Sequence, residues 1–131
     1  MEKILPDIIK QNCFDFWWDN QKVYQLNVPI EEIPVTELDW IFDLPFWSNE
    51  GVNYILTPRE FINNPTKYPT HKTRIEICDT AYPIDIMLNP NGKWLILDGL
   101  HRLVKMVIEG KKSVKVRKLS RELIPLIRRV N

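Results

Sequence analysis

The sequence predicts a small α+β domain, a mixed β-sheet flanked by helices. Three observations carry that expectation. The chain has 131 residues, the usual size of one domain. Residues 84–97 alternate and cluster apolar side chains around an Asn-Pro-Asn-Gly turn, the pattern of a β-hairpin. Residues 100–109 then switch to helical spacing, and residues 113–119 return to alternation.

Taken in order, residues 1–70 form a loop-rich, acidic and aromatic N-terminal part of a single domain spanning 1–131. Prolines are concentrated in the first two thirds of the chain, which implies short elements there. CFDFWWDNQKVY, residues 13–24, sets Trp17 beside Trp18. Adjacent side chains cannot both face one core, so one of the pair is expected at the surface, on a lid or a partner-binding patch. PVTELDWIFDL, residues 34–44, reads as a short amphipathic helix capped at Thr36, with Leu38, Ile41, Phe42 and Leu44 on one face and Pro45 ending it. TPRE, residues 57–60, is a helix start: Thr57 as N-cap, Pro58 at the first position, and Glu60 closing a capping box.

Beyond residue 70 the chain becomes more regular. RIEIC, residues 74–78, alternates as a strand. IDIML, residues 84–88, and KWLIL, residues 93–97, form the hairpin. Leu103, Val104, Val107 and Ile108 mark the buried face of the helix 100–109, and Gly110 stands where a C-terminal glycine cap belongs. SVKVRKL, residues 113–119, is read as an edge strand, and residues 120–131 as a short basic helix broken at Pro125.

The apolar fraction is 44% and the charged fraction 27%, ordinary values for a folded soluble protein. No run reaches the roughly 18 apolar residues that cross a bilayer, and MEKILPDIIKQN is too short and too acidic for an export signal. Cys13 and Cys78 lie far apart, without metal-ligand spacing, and are read as reduced thiols. A cytoplasmic protein that does not engage membranes is expected. The net charge of +1 conceals a polarity. Residues 1–60 carry 4 Lys/Arg against 11 Asp/Glu, and residues 93–131 carry 11 against 3. The basic end either attracts nucleotide, nucleic acid or an acidic partner, or packs against the acidic end.

The chemistry is expected in WLILDGLHRLVKMVIEG, residues 94–110. A strand runs through Asp98–Gly99 into a helix. Helix starts present backbone N–H groups without intrahelical partners, and the helix dipole adds about half a positive charge there. A phosphate suits that position, and Gly99 lets the backbone turn close to it. His101 and Arg102 stand in the first turn, where a cation is disfavoured unless an anion compensates it. Arg102 can give two parallel hydrogen bonds to phosphate, and His101 can donate or act as a general acid. Asp98 also suits the N-cap position, which would leave His101 and Arg102 as surface residues.

YPIDIMLNPNGKWLILDGLHRLVKMVIEGKKSVKVRKL resembles the ParB/sulfiredoxin-like superfamily over about residues 72–119. Pro83, Ile84 and Asp85 match its first strand, and Asp98, Gly99, His101 and Arg102 match its DGxHR nucleotide-phosphate motif. The resemblance implies a nucleotide-binding core over 71–131. Its ligand would be ATP, ADP or CTP with Mg²⁺ held mostly by the phosphates and Asp98 as a helper. Asp98, Gly99, Leu100, His101 and Arg102 would bind phosphate, and His101 and Asp98 would take any catalytic role. Arg74, Asp79 and Lys105 are weaker candidates around the same pocket, and His71 a loop histidine near it. Leu100 stands where sulfiredoxins carry their cysteine, which removes sulfinic-acid repair. The chain carries DGLHR in place of the arginine-rich motif of partition proteins, so a complete partition protein is not expected. It stands closer to free-serine kinases and stand-alone ParB-like domains, although their N-terminal catalytic glutamate has no clear counterpart.

The expected function is therefore nucleotide phosphate binding, with phosphotransfer or nucleotide hydrolysis as its chemistry. The alternative is a non-enzymatic module binding protein or nucleic acid through Trp17, Trp18 or the basic tail. A nuclease has less support, for want of an acidic cluster near the motif. Two histidines and no Cys/His cluster argue against a structural metal.

Overall fold

A computed structural model describes residues 6–130. The start of the MEKILPDIIKQN segment, residues 1–5, lies outside them. Helix α1 (Asp7–Asn12) and helix α2 (Asn20–Tyr24) precede strand β1 (Ile30–Pro34). A hairpin follows, β2 (Trp47–Asn49) and β3 (Val52–Leu56), then helices α3 (Pro58–Asn63) and α4 (Pro69–Ile77). Strands β4 (Ile84–Leu88) and β5 (Trp94–Asp98), helix α5 (Leu100–Ile108), strand β6 (Ser113–Leu119) and helix α6 (Ile124–Ile127) complete the chain.

The architecture is α+β. The main sheet has the order β1-β6-β4-β5, with β4 and β6 parallel and the other pairs antiparallel. Core residues run from Ile9 to Ile127, so the N-terminal part shares one hydrophobic core with the C-terminal part. The β4–β5 turn forms as its sequence dictates. Asn89 is buried; its Oδ1 accepts from the amides of Asn91 and Lys93, while its Nδ2 donates to the Asn12 carbonyl. Helix α5 buries Leu103, Val104 and Met106, and packs against α3, α4 and β4. Its end is closed by Gly110 at φ +85°, with Lys111 N–H reaching the Met106 carbonyl at 2.9 Å. The TPRE capping box is present in full.

Several expectations are corrected. Residues 35–43 form two 3₁₀ turns, Val35–Glu37 and Asp39–Asp43, and Thr36 caps neither. Leu38, Ile41 and Leu44 recur every third residue, which is the 3₁₀ period, and all three are buried. Residues 74–77, read as strand, are the end of α4: Pro69 starts it, His71 and Ile75 share its buried face four residues apart, and Ile77 is exposed. Ile108, placed on the core face of α5, is exposed. Strand β6 is internal, not an edge, because β1 pairs along its other side. Pro125 lies at the start of α6, where its missing N–H costs nothing, and does not break it.

The two oppositely charged ends meet. Arg121 makes two 2.8 Å bonds to the Asp15 carboxylate, and Lys118 lies 3.7 Å from Glu31 across the β1–β6 pair. Trp17 accepts a backbone bond from Arg129, and Trp18 forms a bridge with Arg128. Trp17 is 58% exposed, and Trp18 turns inward and donates its indole N–H to the Leu97 carbonyl.

Candidate functional site

The loop from β5 into α5 is where the expected residues converge. Gly99 is the N-cap of α5 at φ +112°, a conformation that disfavours any side chain, and no side chain caps the helix. The first intrahelical bond runs from Leu103 N–H to the Gly99 carbonyl. The amides of Leu100, His101 and Arg102 therefore have no helical partner. A Cβ on Gly99 would come 2.8 Å from Arg102 Nη2, so the bare glycine also makes room for the guanidinium.

Asp98 does not take the N-cap position that was the alternative reading for it; Gly99 does. Asp98 Oδ2 accepts from Arg102 Nη2 and from the Tyr24 hydroxyl, each at 2.9 Å. Arg102 thus reaches back four residues to Asp98, just before the N-cap of its own helix, and its side chain is largely shielded. Asp98 orients Arg102 and not His101. Burial, together with the Asp98 carboxylate, pushes the Tyr24 phenol above its usual range.

His101 is held by His71. His71 Nε2 lies 2.8 Å from the Ser48 carbonyl, which can only accept, so that nitrogen carries a proton. His71 Nδ1 lies 3.4 Å from His101 Nε2. With both rings neutral, His101 Nε2 is the donor and its Nδ1 keeps a free lone pair. No buried side-chain nitrogen or oxygen among the described residues lacks a partner. His101 Nδ1, which bonds to no protein group, is therefore not completely buried. Trp47 lies flat over both imidazoles, with centroids 4.6 Å away and planes tilted by 13° and 14°. Burial, then the Arg74 charge and His71, lowers His101 to about 4. It stands neutral in the first turn of α5, which relieves the conflict between a cation and the helix dipole.

Two clefts meet on this loop. One is polar and open, about 360 Å³, bounded by Cys78, Asp79, Tyr82 and residues 98–102. The other is a cavity of about 620 Å³, bounded by aromatic side chains from residues 14–18 and 46–54, by β5 and by Asp98–His101. A third hollow, about 570 Å³, adjoins Arg102 on its far side, between Tyr24, Tyr82, Pro83, Asp85 and Arg117. There the buried Asp85 accepts from Arg117 at 2.6 Å, and Arg117 also donates to the carbonyls of Val23 and Leu26.

Among the weaker candidates, Asp79 joins the polar cleft. Arg74 is exposed on α4 and acts on His101 only through its charge. Lys105 spends its ammonium on the carbonyls of Glu76 and Cys78, closing the end of α4. Sequence reasoning gave Tyr24, Trp47 and Tyr82 no role and His71 a loop position. The one usable signal was that the chain holds just two histidines.

No helix among the described residues is long and apolar enough to cross a membrane, and no group of three or more His, Cys, Asp or Glu among them is placed to hold a metal. The chain matches no family model, and no curated protein or solved structure matches it.

Proposed function

We propose that the protein binds a nucleotide through its phosphates at the loop Asp98–Arg102, in the manner that the ParB/sulfiredoxin-like resemblance implies. The observation that carries this is the start of α5: three unpartnered amides and the guanidinium of Arg102 border one polar cleft. The order of strand, Asn-Pro-Asn-Gly turn, strand, DGLHR, helix and strand supports it as well.

For phosphotransfer or hydrolysis the loop amides and Arg102 would stabilise charge on the transferred phosphoryl group. His101 would then be a proton acceptor. Its Nδ1 would take the proton of the attacking hydroxyl or water as the new P–O bond forms and the bond from that phosphorus to the bridging oxygen breaks, the nucleotide leaving with one phosphate fewer, while its Nε2 stays on His71. Asp98 Oδ2 is committed to Arg102 and Tyr24, so Mg²⁺ would draw its ligands chiefly from the phosphates and water.

Calorimetric titration with tripolyphosphate, ATP, ADP and CTP, with and without Mg²⁺, tests the proposal. Arg102→Ala should weaken the binding by about ten- to a hundredfold, the worth of charge-assisted hydrogen bonds. Absence of binding at millimolar ligand, or an unchanged affinity in Arg102→Ala, overturns it.

A further inference from the structure

The aromatic cavity and the polar cleft share Asp98, Gly99, Leu100 and His101, so the two adjoin on the same loop. At about 620 Å³ the aromatic cavity has the size of a small-molecule site. Its walls include Phe14, Phe16, Trp18, Phe46, Trp47 and Tyr54. These are flat rings, which suit a flat ligand better than an aliphatic chain.

Three features make this a shaped pocket. Trp18 is fixed by two hydrogen bonds, to the Leu97 carbonyl at 3.1 Å and to Asn20 Oδ1 at 3.0 Å, so its ring face is set in advance. Tyr54 adopts φ 56°, a left-handed conformation rare for a tyrosine and concentrated at functional sites. The floor is β5, the terminal strand of the sheet, which pairs on one side alone. Two carbonyls of that strand, Trp94 and Leu97, accept from the Trp40 and Trp18 indoles, which holds Trp18 against the floor.

A ligand spanning both clefts must therefore carry a flat ring at one end and an anion at the other. We propose that the cavity takes the base of a nucleotide, stacked among Trp18, Phe46 and Trp47, while its phosphates lie on the amides of the Asp98–Arg102 loop. This assignment rests on the phosphate site proposed above and deepens it.

Titration with ATP, CTP, adenosine, cytidine, tripolyphosphate and decanoate separates the two. At least one nucleoside triphosphate should bind about tenfold more tightly than tripolyphosphate, the worth of one stacked base. Phe46→Ala and Trp18→Ala should remove that advantage and leave tripolyphosphate affinity unchanged. Should either variant fail to fold, the indole N–H resonance of Trp18 in the unaltered protein carries the test. It should shift with the triphosphate and stay in place with tripolyphosphate. Equal affinity for nucleotide and tripolyphosphate overturns the base site and leaves the phosphate site standing. Nucleoside binding with no gain from phosphates supports the cavity and overturns the phosphate site. Decanoate binding without any nucleoside or nucleotide binding overturns the base assignment, and no binding by any ligand overturns both.

Discussion

His71 and His101 form one line of hydrogen bonding that begins at the Ser48 carbonyl and ends at Nδ1 of His101, roofed throughout by the Trp47 indole. The line couples the β2–β3 hairpin, α4 and α5, and it sets which nitrogen of His101 meets the cleft. It also fixes a pH dependence. His101 falls from its ordinary 6.5 to about 4 through burial, the Arg74 charge and His71. Between those values the unfolded chain binds a proton that the folded chain refuses, so stability rises with pH across the window. The contribution is complete above pH 6.5 and is lost as pH falls towards 4. Denaturant midpoints should drop over that interval in the unaltered protein and drop less in His101→Asn. Equal slopes for the two would show that His101 does not carry the effect.

Gly99→Ala should damage fold and site together. The backbone at φ +112° costs about 1–3 kcal/mol for a residue bearing a Cβ, and that Cβ would press on Arg102 Nη2. Gly110→Ala is the matched control, since its φ is +85° and nothing lies within 4 Å of an added Cβ. Both variants should lower the unfolding free energy, and only Gly99→Ala should also weaken tripolyphosphate binding. Equal affinity in the two variants would show that Arg102 does not need the bare glycine.

Asp85 and Arg117 face each other across the parallel β4–β6 pair, and both side chains are shielded from water. Removing one partner leaves a buried charge uncompensated, so Asp85→Ala or Arg117→Ala should cost about 3–5 kcal/mol in urea unfolding. The double variant Asp85→Leu/Arg117→Met should cost less than either single change. A double variant as unstable as the sum of the two would mean that the charges stabilise by more than their mutual compensation.

The half of the chain that was legible is the half whose signals are local. Thr57 and Glu60 meet within one helical turn, and Asn89 holds its own turn, so their patterns determine their structures. The RIEIC segment misleads because alternation of Ile75 and Ile77 says nothing about His71, whose burial beside His101 sets the helical face. Strand β1 went unread because only Ile33 of its five residues is buried; its place is fixed by pairing with β6, from Pro34 on Ser113 to Ile30 on Arg117, far along the chain. The DGLHR loop was legible as a turn into a helix, whereas the engagement of Asp98 was not, since Tyr24 and Arg102 reach it from opposite directions in the sequence. The aromatic cavity has the same character: residues 14–18 and 46–54 close over β5 only in three dimensions.

Two cations of α5 that look alike in sequence should separate cleanly by experiment. Arg102 lies in the polar cleft, and Lys105 donates 3.0 Å bonds to the Glu76 and Cys78 carbonyls at the end of α4. Lys105→Met keeps the aliphatic stem and removes those bonds and their favourable contact with the α4 dipole. It should cost about 1–2 kcal/mol of stability and leave tripolyphosphate affinity unchanged. Arg102→Met should do the reverse, since its salt bridge to Asp98 is local and in the proposed site its guanidinium would serve the anion. Parallel melting and calorimetry on the two variants check this directly. A loss of anion binding in Lys105→Met, at a temperature where the variant is fully folded, would return Lys105 to the site.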